Sequence, residues 1–383
     1  MKRLRLTVIT ETISPYRIPV FNALAKRREI DLHVMFLSET DSSTRQWRVY
    51  REEIRFSYEV LPSWRKRIGK FNLLLNQDVA GALDRAAPHV IVCGGYNYVA
   101  SWQAIHWAKR HGVPFYLWCE STTRDRRNEF TLIEAMKKKF LRHCAGFVAP
   151  GQAALDYLQR CGAAPEKIHI ARNAVDTELF ARLGQAARNN AGRLRAELGL
   201  PARYFLFVGR LVRQKGVMDL VRAYQRLPWE LREKVGLVFT GNGPLRAELE
   251  TAARTIYPGH VHFAGFIHRE QLPSYYSLAE CLVLPTHTDP WGLVVNEGMA
   301  CGLPVICTTV AGCAPDLIRA NGKLVEPGNV SALAEALEEI AMDPRLRNQM
   351  SQESARLICG YSPDICAAGI AEAALAAGRK AHA

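Results

Sequence analysis

The chain has 383 residues, of which 48% are hydrophobic and 23% charged, which is typical of a globular protein with more than one core. The sequence contains no run of 18 apolar residues, which argues against a membrane-spanning helix, and its ten cysteines form no zinc-ligand pattern, which favours reduced thiols in a cytoplasmic protein. The formal charge of +13 is concentrated in residues 1–172, which carry 28 Lys and Arg against 16 Asp and Glu and so favour an anionic partner.

The first half of the chain alternates short apolar runs with longer amphipathic stretches. The first run is a predicted strand rather than a signal peptide, because Glu11 and Pro15 interrupt it. Helices are predicted over 18–28 and 129–143. Strands are predicted over 5–10, 32–38, 56–61, 90–95, 114–120 and 146–150.

The second half repeats this rhythm, with predicted strands at 204–209, 236–241, 261–266, 281–285 and 304–309. Continuous apolar strands separated by helices indicate parallel sheets covered on both faces. Two such series predict two doubly wound, Rossmann-like α/β domains. We expect residues 1–172 with a C-terminal helix at about 360–383 to form the first, and 173–359 the second, which a polar linker near 170–203 would join. Ligands should bind beyond the carboxyl ends of the strands.

The stretch "FVGRLVRQKGV", 207–217, places Arg210 and Lys215 after a predicted strand, and Gly216 before a helix. Two cations at a glycine-rich helix start suit a phosphate group. The alternative is two solvated surface cations.

A second glycine turn follows the next strand in "FTGNGPLRAEL", 239–249. Gly241 and Gly243, on either side of Asn242, would let a ligand approach the backbone. The alternative is an ordinary strand-to-helix turn with Pro244 as the first helical residue.

The stretch "DPWGLVVNEGMACGLPV", 289–305, predicts a helix with Asp289 as its N-cap and Pro290 as its first residue. The backbone amides of 291–293 would then face an anion. Glu297 would lie about 12 Å further along the axis, too far for the two acids to share a metal but suited to an extended nucleotide-diphosphate sugar. The alternative is a capped structural helix with Glu297 exposed.

Five segments in this order and spacing resemble family 4 of the retaining glycosyltransferases: "GRLVRQKG", "GNGPLR", "HFAGFI", "DPWGLVVNEGMACGLPVI" and "AGCAPDLI". The resemblance covers most of residues 167–330. It implies the GT-B fold, in which two Rossmann-like domains face each other across a cleft. It also implies transfer of a sugar from a nucleotide-sugar donor, a UDP- or GDP-sugar, with retention of anomeric configuration.

The resemblance implies roles for single residues. Arg210 and Lys215 would neutralise the donor diphosphate, Asp289 would contact the sugar hydroxyls, and Glu297 would bind the ribose. The other donor-binding positions implied are Gly209, Asn242, Phe266, Ile267, Trp291, Gly292, Leu293 and Val294.

The chain departs from the family pattern in several places. Asp289 is one methylene shorter than the usual Glu. Cys119 stands where many members have a His, and its neighbour Glu120 is a candidate catalytic group or else a buried structural carboxylate. "TETISPYR" replaces a glycine-rich turn, so Arg17 becomes the predicted acceptor-side anion contact. No D-x-D is present, so we expect neither a metal nor another cofactor.

Two basic segments suggest an anionic membrane surface as a partner. In "SWRKRIGKFNLLL", Trp64, Ile68, Phe71 and Leu75 recur at helical spacing. The alternative is a core-packed helix with a solvated charged face. The basic residues concerned are Arg65, Lys66, Arg67, Lys70, Lys137, Lys138 and Lys139.

The sequence therefore predicts a cytoplasmic retaining glycosyltransferase, peripheral on the membrane, that acts on a lipid-linked or polysaccharide glycan precursor. A sugar-nucleotide epimerase on the same fold is the alternative enzyme. A nucleic-acid-binding protein would explain the charge of +13, but no nucleic-acid-binding motif accompanies it.

Overall fold

The structure, a computed structural model, describes residues 3–41, 46–68, 71–124, 131–256 and 259–381. The chain divides into two compact units. Unit 1 is Met1–Ala174 with Pro363–Ala383, and unit 2 is Val175–Ser362. The predicted boundaries, after 172 and before 360, lie within three residues of these divisions.

Unit 1 is built on a parallel sheet with the strand order β3-β2-β1-β6-β7-β8-β9 and a separate antiparallel pair, β4-β5. Its strands are β1 Leu4–Thr10, β2 Ile30–Phe36, β3 Ser57–Val60, β4 Ser63–Ile68, β5 Phe71–Asn76, β6 Val90–Gly94, β7 Phe115–Trp118, β8 Gly146–Ala149 and β9 Ile168–Ile170. Its first helices are α1 Ile18–Ala25, α2 Val79–Ala86, α3 Val99–His111, α4 Thr131–Arg142 and α5 Gln152–Arg160. The central strands are buried on both faces, which is why they appear as continuous apolar runs.

Residues 63–68 and 71–76 are the paired antiparallel strands β4 and β5, so the predicted amphipathic helix over "SWRKRIGKFNLLL" is wrong. The register pairs Trp64 with Leu75 and Ile68 with Phe71. Residues spaced like a helical stripe in the sequence are therefore cross-strand partners in the structure. Both ends of this stripe are solvent-exposed, Trp64 by 53% and Leu75 by 38%.

Unit 2 contains a six-stranded parallel sheet with the order β12-β11-β10-β13-β14-β15. Its strands are β10 Tyr204–Val208, β11 Gly236–Thr240, β12 Val261–Gly265, β13 Cys281–Leu284, β14 Val305–Thr308 and β15 Gly322–Val325. Its helices are α6 Thr177–Asn189, α7 Ala191–Leu198, α8 Val217–Gln225, α9 Trp229–Lys234, α10 Arg246–Ala253, α11 Leu272–Ser277, α12 Leu293–Ala300, α13 Ala314–Leu317, α14 Val330–Met342 and α15 Pro344–Ile358.

Two helices occupy the segment predicted as a polar linker. Asp176 caps α6 by accepting a hydrogen bond from the Leu179 amide at 3.0 Å, and α7 follows at once. The polar residues of this segment are thus the solvent face of two surface helices, and Phe180 lies on the buried face of α6.

The last helix, α16 Pro363–Ala381, returns to unit 1 and packs on α1, β8 and β9. Its alanine-rich face, which includes Ala367, Ala371 and Ala374, is fully buried. Gly369 lies so close to β9 that a Cβ there would stand 2.3 Å from the Ile170 carbonyl oxygen. Among the described residues, no helix is both long and apolar enough to cross a bilayer.

Candidate functional site

The loops that carry the predicted donor-site residues of unit 2 share one edge of the sheet. They follow β10, β11, β12 and β13, which are neighbours in a parallel sheet and therefore end on the same side. Residues far apart in sequence are brought to this edge by the topology, as expected for an open α/β sheet.

Two of these loops cross in direct backbone contact. The Leu211 amide donates to the Asn242 carbonyl oxygen at 3.0 Å. A Cβ on Gly241 would lie 2.0 Å from the Gly209 oxygen, and one on Gly243 would lie 2.3 Å from the Leu211 oxygen. The glycines are therefore required by this chain crossing. Pro244 is not the first helical residue, because α10 begins at Arg246.

The loop after β10 places Lys215 against the loop after β13. The Gln214 carbonyl oxygen accepts hydrogen bonds from the His287 amide and the Thr286 hydroxyl, both at 2.8 Å. The ammonium of Lys215 forms an ion pair with Oδ2 of Asp289. The Asp289 side chain is only 10% exposed, so the pair is largely shielded from solvent.

Asp289 does not cap the following helix, contrary to the sequence prediction. Helix α12 begins at Leu293, and its N-cap is Gly292 with a φ of 95°, a left-handed conformation that favours glycine. Asp289 and Pro290 lie before this turn, and the Asp289 carbonyl oxygen accepts from the Gly312 amide at 2.9 Å. Asp289 and Glu297 therefore do not lie on one helix, and the separation predicted along a helix axis does not hold. The first backbone amides of α12 still lie at this edge of the sheet.

Glu297 lies on α12 and accepts a hydrogen bond at 2.7 Å from the hydroxyl of Tyr276 on α11. Burial raises the pKa of Glu297 to about 7, although the Tyr276 hydrogen bond and the charge of Arg269 act in the opposite direction. Tyr276 was not predicted as a functional residue, because it stands in an apolar stretch and resembles an ordinary core residue.

The side chains at the remaining predicted donor-site positions differ in burial and in hydrogen-bond partners. Trp291 is 3% exposed, and its indole N–H donates to Asn296 Oδ1 at 2.8 Å, so its side chain belongs to the core. Arg246 donates to Asn242 Oδ1 at 3.1 Å. The remaining positions are the exposed Arg210 and the half-buried Phe266, Ile267, Leu293 and Val294.

In unit 1, Arg17 and Glu120 form an ion pair at the carboxyl edge of the sheet. Arg17 also donates to Asn173 Oδ1 at 3.0 Å, and its guanidinium lies 4.1 Å from the centre of the Trp118 ring. The guanidinium is thus held from three sides, and Glu120 is the partly exposed member of the cluster.

Cys119, beside Glu120, is 1% exposed. Burial raises the pKa of its thiol to about 12, so the thiol is protonated at neutral pH and is a poor nucleophile. Within the described part of the chain, no three His, Cys, Asp or Glu residues are grouped to hold a metal ion.

Two families of known proteins match this chain. The family described as "Glycosyltransferase Family 4" matches residues 21–179, and "Glycosyl transferases group 1" matches 193–357. The chain is 28% identical to O-antigen chain mannosyltransferase B of Escherichia coli over 146 residues, 38% of each chain. It is 31% identical to D-inositol 3-phosphate glycosyltransferase of Kribbella flavida over 216 residues, 54% of this chain and 50% of that one.

The chain thus spans about two fifths to one half of the length of these curated relatives. Among solved structures it resembles HepE of Anabaena in complex with UDP and glucose, with a TM-score of 0.73 and 17% identity over 97% of this chain and 99% of that chain. The two parallel α/β sheets and this likeness identify the GT-B fold. The chain belongs to family 4 of the glycosyltransferases.

Proposed function

We propose that this protein is a retaining glycosyltransferase that moves a sugar from a nucleotide-sugar donor to a hydroxyl of a glycan acceptor. The observation that carries the proposal is the Lys215–Asp289 ion pair, at the same sheet edge as Glu297. Unit 2 would bind the donor and unit 1 the acceptor. HepE, a protein of the same fold, was crystallised with UDP and glucose, which supports a nucleotide sugar as the donor.

The donor diphosphate is the leaving group, and it gains negative charge as the bond to the sugar breaks. Arg210 and Lys215 supply positive charge, and the first amides of α12, at Leu293 and Val294, add hydrogen-bond donors. In this proposal the acceptor hydroxyl attacks from the face that the diphosphate leaves. The bond from the sugar to the acceptor oxygen forms as the bond to the diphosphate breaks, and an oxygen of the leaving phosphate takes the hydroxyl proton. Because the attack is on the face that the diphosphate leaves, the anomeric configuration is retained without a side-chain nucleophile.

The other proposed contacts follow from the two ends of the donor. Asp289 accepts hydrogen bonds from sugar hydroxyls, and Glu297 accepts them from the ribose. Asn242, Phe266 and Ile267 border the nucleobase. In unit 1, Glu120 orients the acceptor hydroxyl, and Arg17 holds Glu120 in place.

The acceptor we propose is a lipid-linked or polysaccharide glycan precursor. One relative, from Escherichia coli, is named an O-antigen chain mannosyltransferase, and such chains are polysaccharides. An enzyme acting on a lipid-linked precursor would work at the cytoplasmic face of a membrane, where the excess positive charge of residues 1–172 would favour anionic lipid.

The basic residues predicted to contact the membrane differ in availability. Lys138 and Lys139 on α4 are exposed, Lys137 is half-buried and Lys66 is exposed. Arg65 instead forms ion pairs with Glu11 and Asp41, at 3.2 and 3.1 Å, and these link β4 to the rest of unit 1. Lys70 lies outside the described residues, as does the side chain of Arg67. Flotation with anionic liposomes tests this part, and we expect binding at low salt that weakens in Lys138→Glu/Lys139→Glu.

The catalytic proposal is tested by a thermal-shift screen against UDP-, GDP- and ADP-sugars, because a ligand that binds the folded state raises its melting temperature. With the donor identified, Glu297→Ala and Lys215→Ala should each abolish transfer while the protein remains folded. Near-normal activity in both variants would refute the assignment.

A further inference from the structure

Tyr276 contacts Glu297 from the protein interior. Its side chain is fully buried, and its hydroxyl donates to Oε2 of Glu297 at 2.7 Å. Within the part of the chain that the structure describes, Glu297 Oε1 accepts no such bond. One carboxylate oxygen is therefore fixed by the protein and the other is available to a ligand.

We propose that Tyr276 is a positioning residue for donor binding, whose hydroxyl holds one oxygen of Glu297 so that the other meets the ribose hydroxyls. The inference rests on the proposed function, in which Glu297 is the ribose-binding carboxylate. Tyr276 itself touches no reacting atom, and its effect reaches the donor through Glu297 alone.

The packing around the tyrosine ring explains why its hydroxyl is fixed. Phe180 meets the ring edge-on with the ring centres 6.2 Å apart. A Cβ at Gly298 would stand 3.6 Å from Cδ1 of Tyr276 and 2.9 Å from Cδ2 of Leu282. Glycine at 298 lets α12 pack closely on Leu282 beside the Tyr276 ring, and the neighbouring residue on the helix is Glu297.

The charged state of Glu297 gives the proposal a measurable signature. Arg269 is the nearby cation, Tyr276 is the hydrogen-bond donor, and burial opposes both, so the pKa lies at about 7. Cys301, the C-cap of the same helix, is neutral, because burial raises its pKa to about 12. Arg188 on α6 donates to the Cys301 carbonyl oxygen at 2.9 Å.

An ionised carboxylate accepts hydrogen bonds from two hydroxyls, whereas a protonated one has lost part of that capacity. Donor affinity should therefore fall as the pH decreases through about 7. Loss of the Tyr276 hydroxyl removes a bond that stabilises the ionised form, so the midpoint of this fall should move upward, by about one pH unit for a charge-assisted hydrogen bond.

The test is a titration of wild type, Tyr276→Phe and Tyr275→Phe with UDP-glucose and GDP-mannose by calorimetry. The range is about pH 6 to 9, in which phosphodiester groups of the probes do not titrate. We expect Tyr276→Phe to bind about fivefold more weakly near pH 7, about tenfold more weakly near pH 6, and close to wild type near pH 9. Tyr275→Phe, which removes the hydroxyl of the preceding residue on α11, should follow the wild-type curve throughout.

Two results would overturn the inference. One is a Tyr276→Phe curve that coincides with wild type at every pH. The other is a loss that is equal at every pH and accompanied by a lower melting temperature, which indicates a structural role. A wild-type protein that binds no nucleotide sugar at all would count against the proposed function itself. Glu297→Gln provides a second readout, since it should abolish the pH dependence and make the effect of Tyr276→Phe on binding small.

Discussion

Lys215 and Asp289 follow different strands of unit 2, and their side chains form an ion pair. Without the donor, each charge compensates the other in a site largely shielded from solvent. A bound diphosphate would offer the lysine a second anion, so donor binding would redistribute the lysine between Asp289 and phosphate. The acid would then both hold the lysine in place and compete for it.

Asp289→Asn should therefore have opposite effects on two steps. Removal of the competing carboxylate should tighten binding of UDP or GDP about threefold, because Lys215 becomes available to the diphosphate. Transfer should fall about 100-fold, because the charged acceptor of sugar hydroxyls is lost. Calorimetry and initial rates measure the two effects. Asp289→Glu, which restores the more usual family residue, should retain transfer, and nucleotide binding that weakens in Asp289→Asn would contradict this account.

Glu297→Gln should stabilise the protein while it abolishes activity. The pKa of Glu297 is raised to about 7, so the folded state holds this proton more tightly than the unfolded chain. The contribution of this proton to the free energy of unfolding is fully present below the ordinary pKa of a glutamate, and it is lost as the pH rises through about 7. We expect an advantage for Glu297→Gln of about 1 kcal/mol near pH 5 and about 3 kcal/mol near pH 8. Denaturant unfolding at the two pH values measures it, and an advantage independent of pH would argue against a buried carboxylate.

Gly216→Ala should displace the loop that carries Lys215. Gly216 has a φ of 63°, and a Cβ there would stand 1.8 Å from the Pro285 carbonyl oxygen. We expect a loss of about 2 kcal/mol or more in stability and a parallel loss of nucleotide binding. Gly192→Ala is the matched control, because it lies on α7 with nothing within 4 Å of the added carbon. That variant should gain about 0.5–1 kcal/mol, and equal behaviour of the two would show that the close approach of Gly216 to Pro285 does not require glycine.

Glu120→Gln should slow transfer without changing donor affinity. Glu120 belongs to unit 1 and is paired with Arg17, whereas the donor is bound by unit 2 in our proposal. We expect kcat to fall about tenfold to 100-fold with an unchanged donor Kd. Glu59→Gln, which removes another carboxylate paired with an arginine in unit 1, should be neutral. A parallel loss of donor affinity in Glu120→Gln would place this carboxylate on the donor side instead.

The two sheets were largely predictable because their central strands are buried on both faces. Such strands leave continuous apolar runs in the sequence, as at 204–208 and 236–240. The β4–β5 pair was not predictable from apolar runs, because its cross-strand partners Trp64 and Leu75 have the sequence spacing of one face of a helix. The short strands β9 and β15 carry polar residues and are only partly buried, so they give a weak pattern.

The donor-site residues were predicted singly, but their partners were not. Lys215 and Asp289 were each chosen for their own chemistry, and 74 residues separate them, so no local pattern indicates their pairing. Tyr276 lies 21 residues before Glu297 and carries only the sequence signal of a core aromatic. The start of α12 was misplaced because the left-handed turn at Gly292 delays the helix by three residues relative to a proline-led start.

The return of α16 to unit 1 has a consequence for the order of folding during synthesis. Unit 2 is a continuous segment, 175–362, so all of its core residues precede the last helix in the chain. Unit 1 begins first but lacks the buried face of Ala367, Ala371 and Ala374 until α16 emerges. A stop codon at residue 363 would therefore leave the whole of unit 2 attached to an N-terminal unit that lacks its last helix. Unit 1, which contains the first residues to be synthesised, is thus the last unit to complete its core.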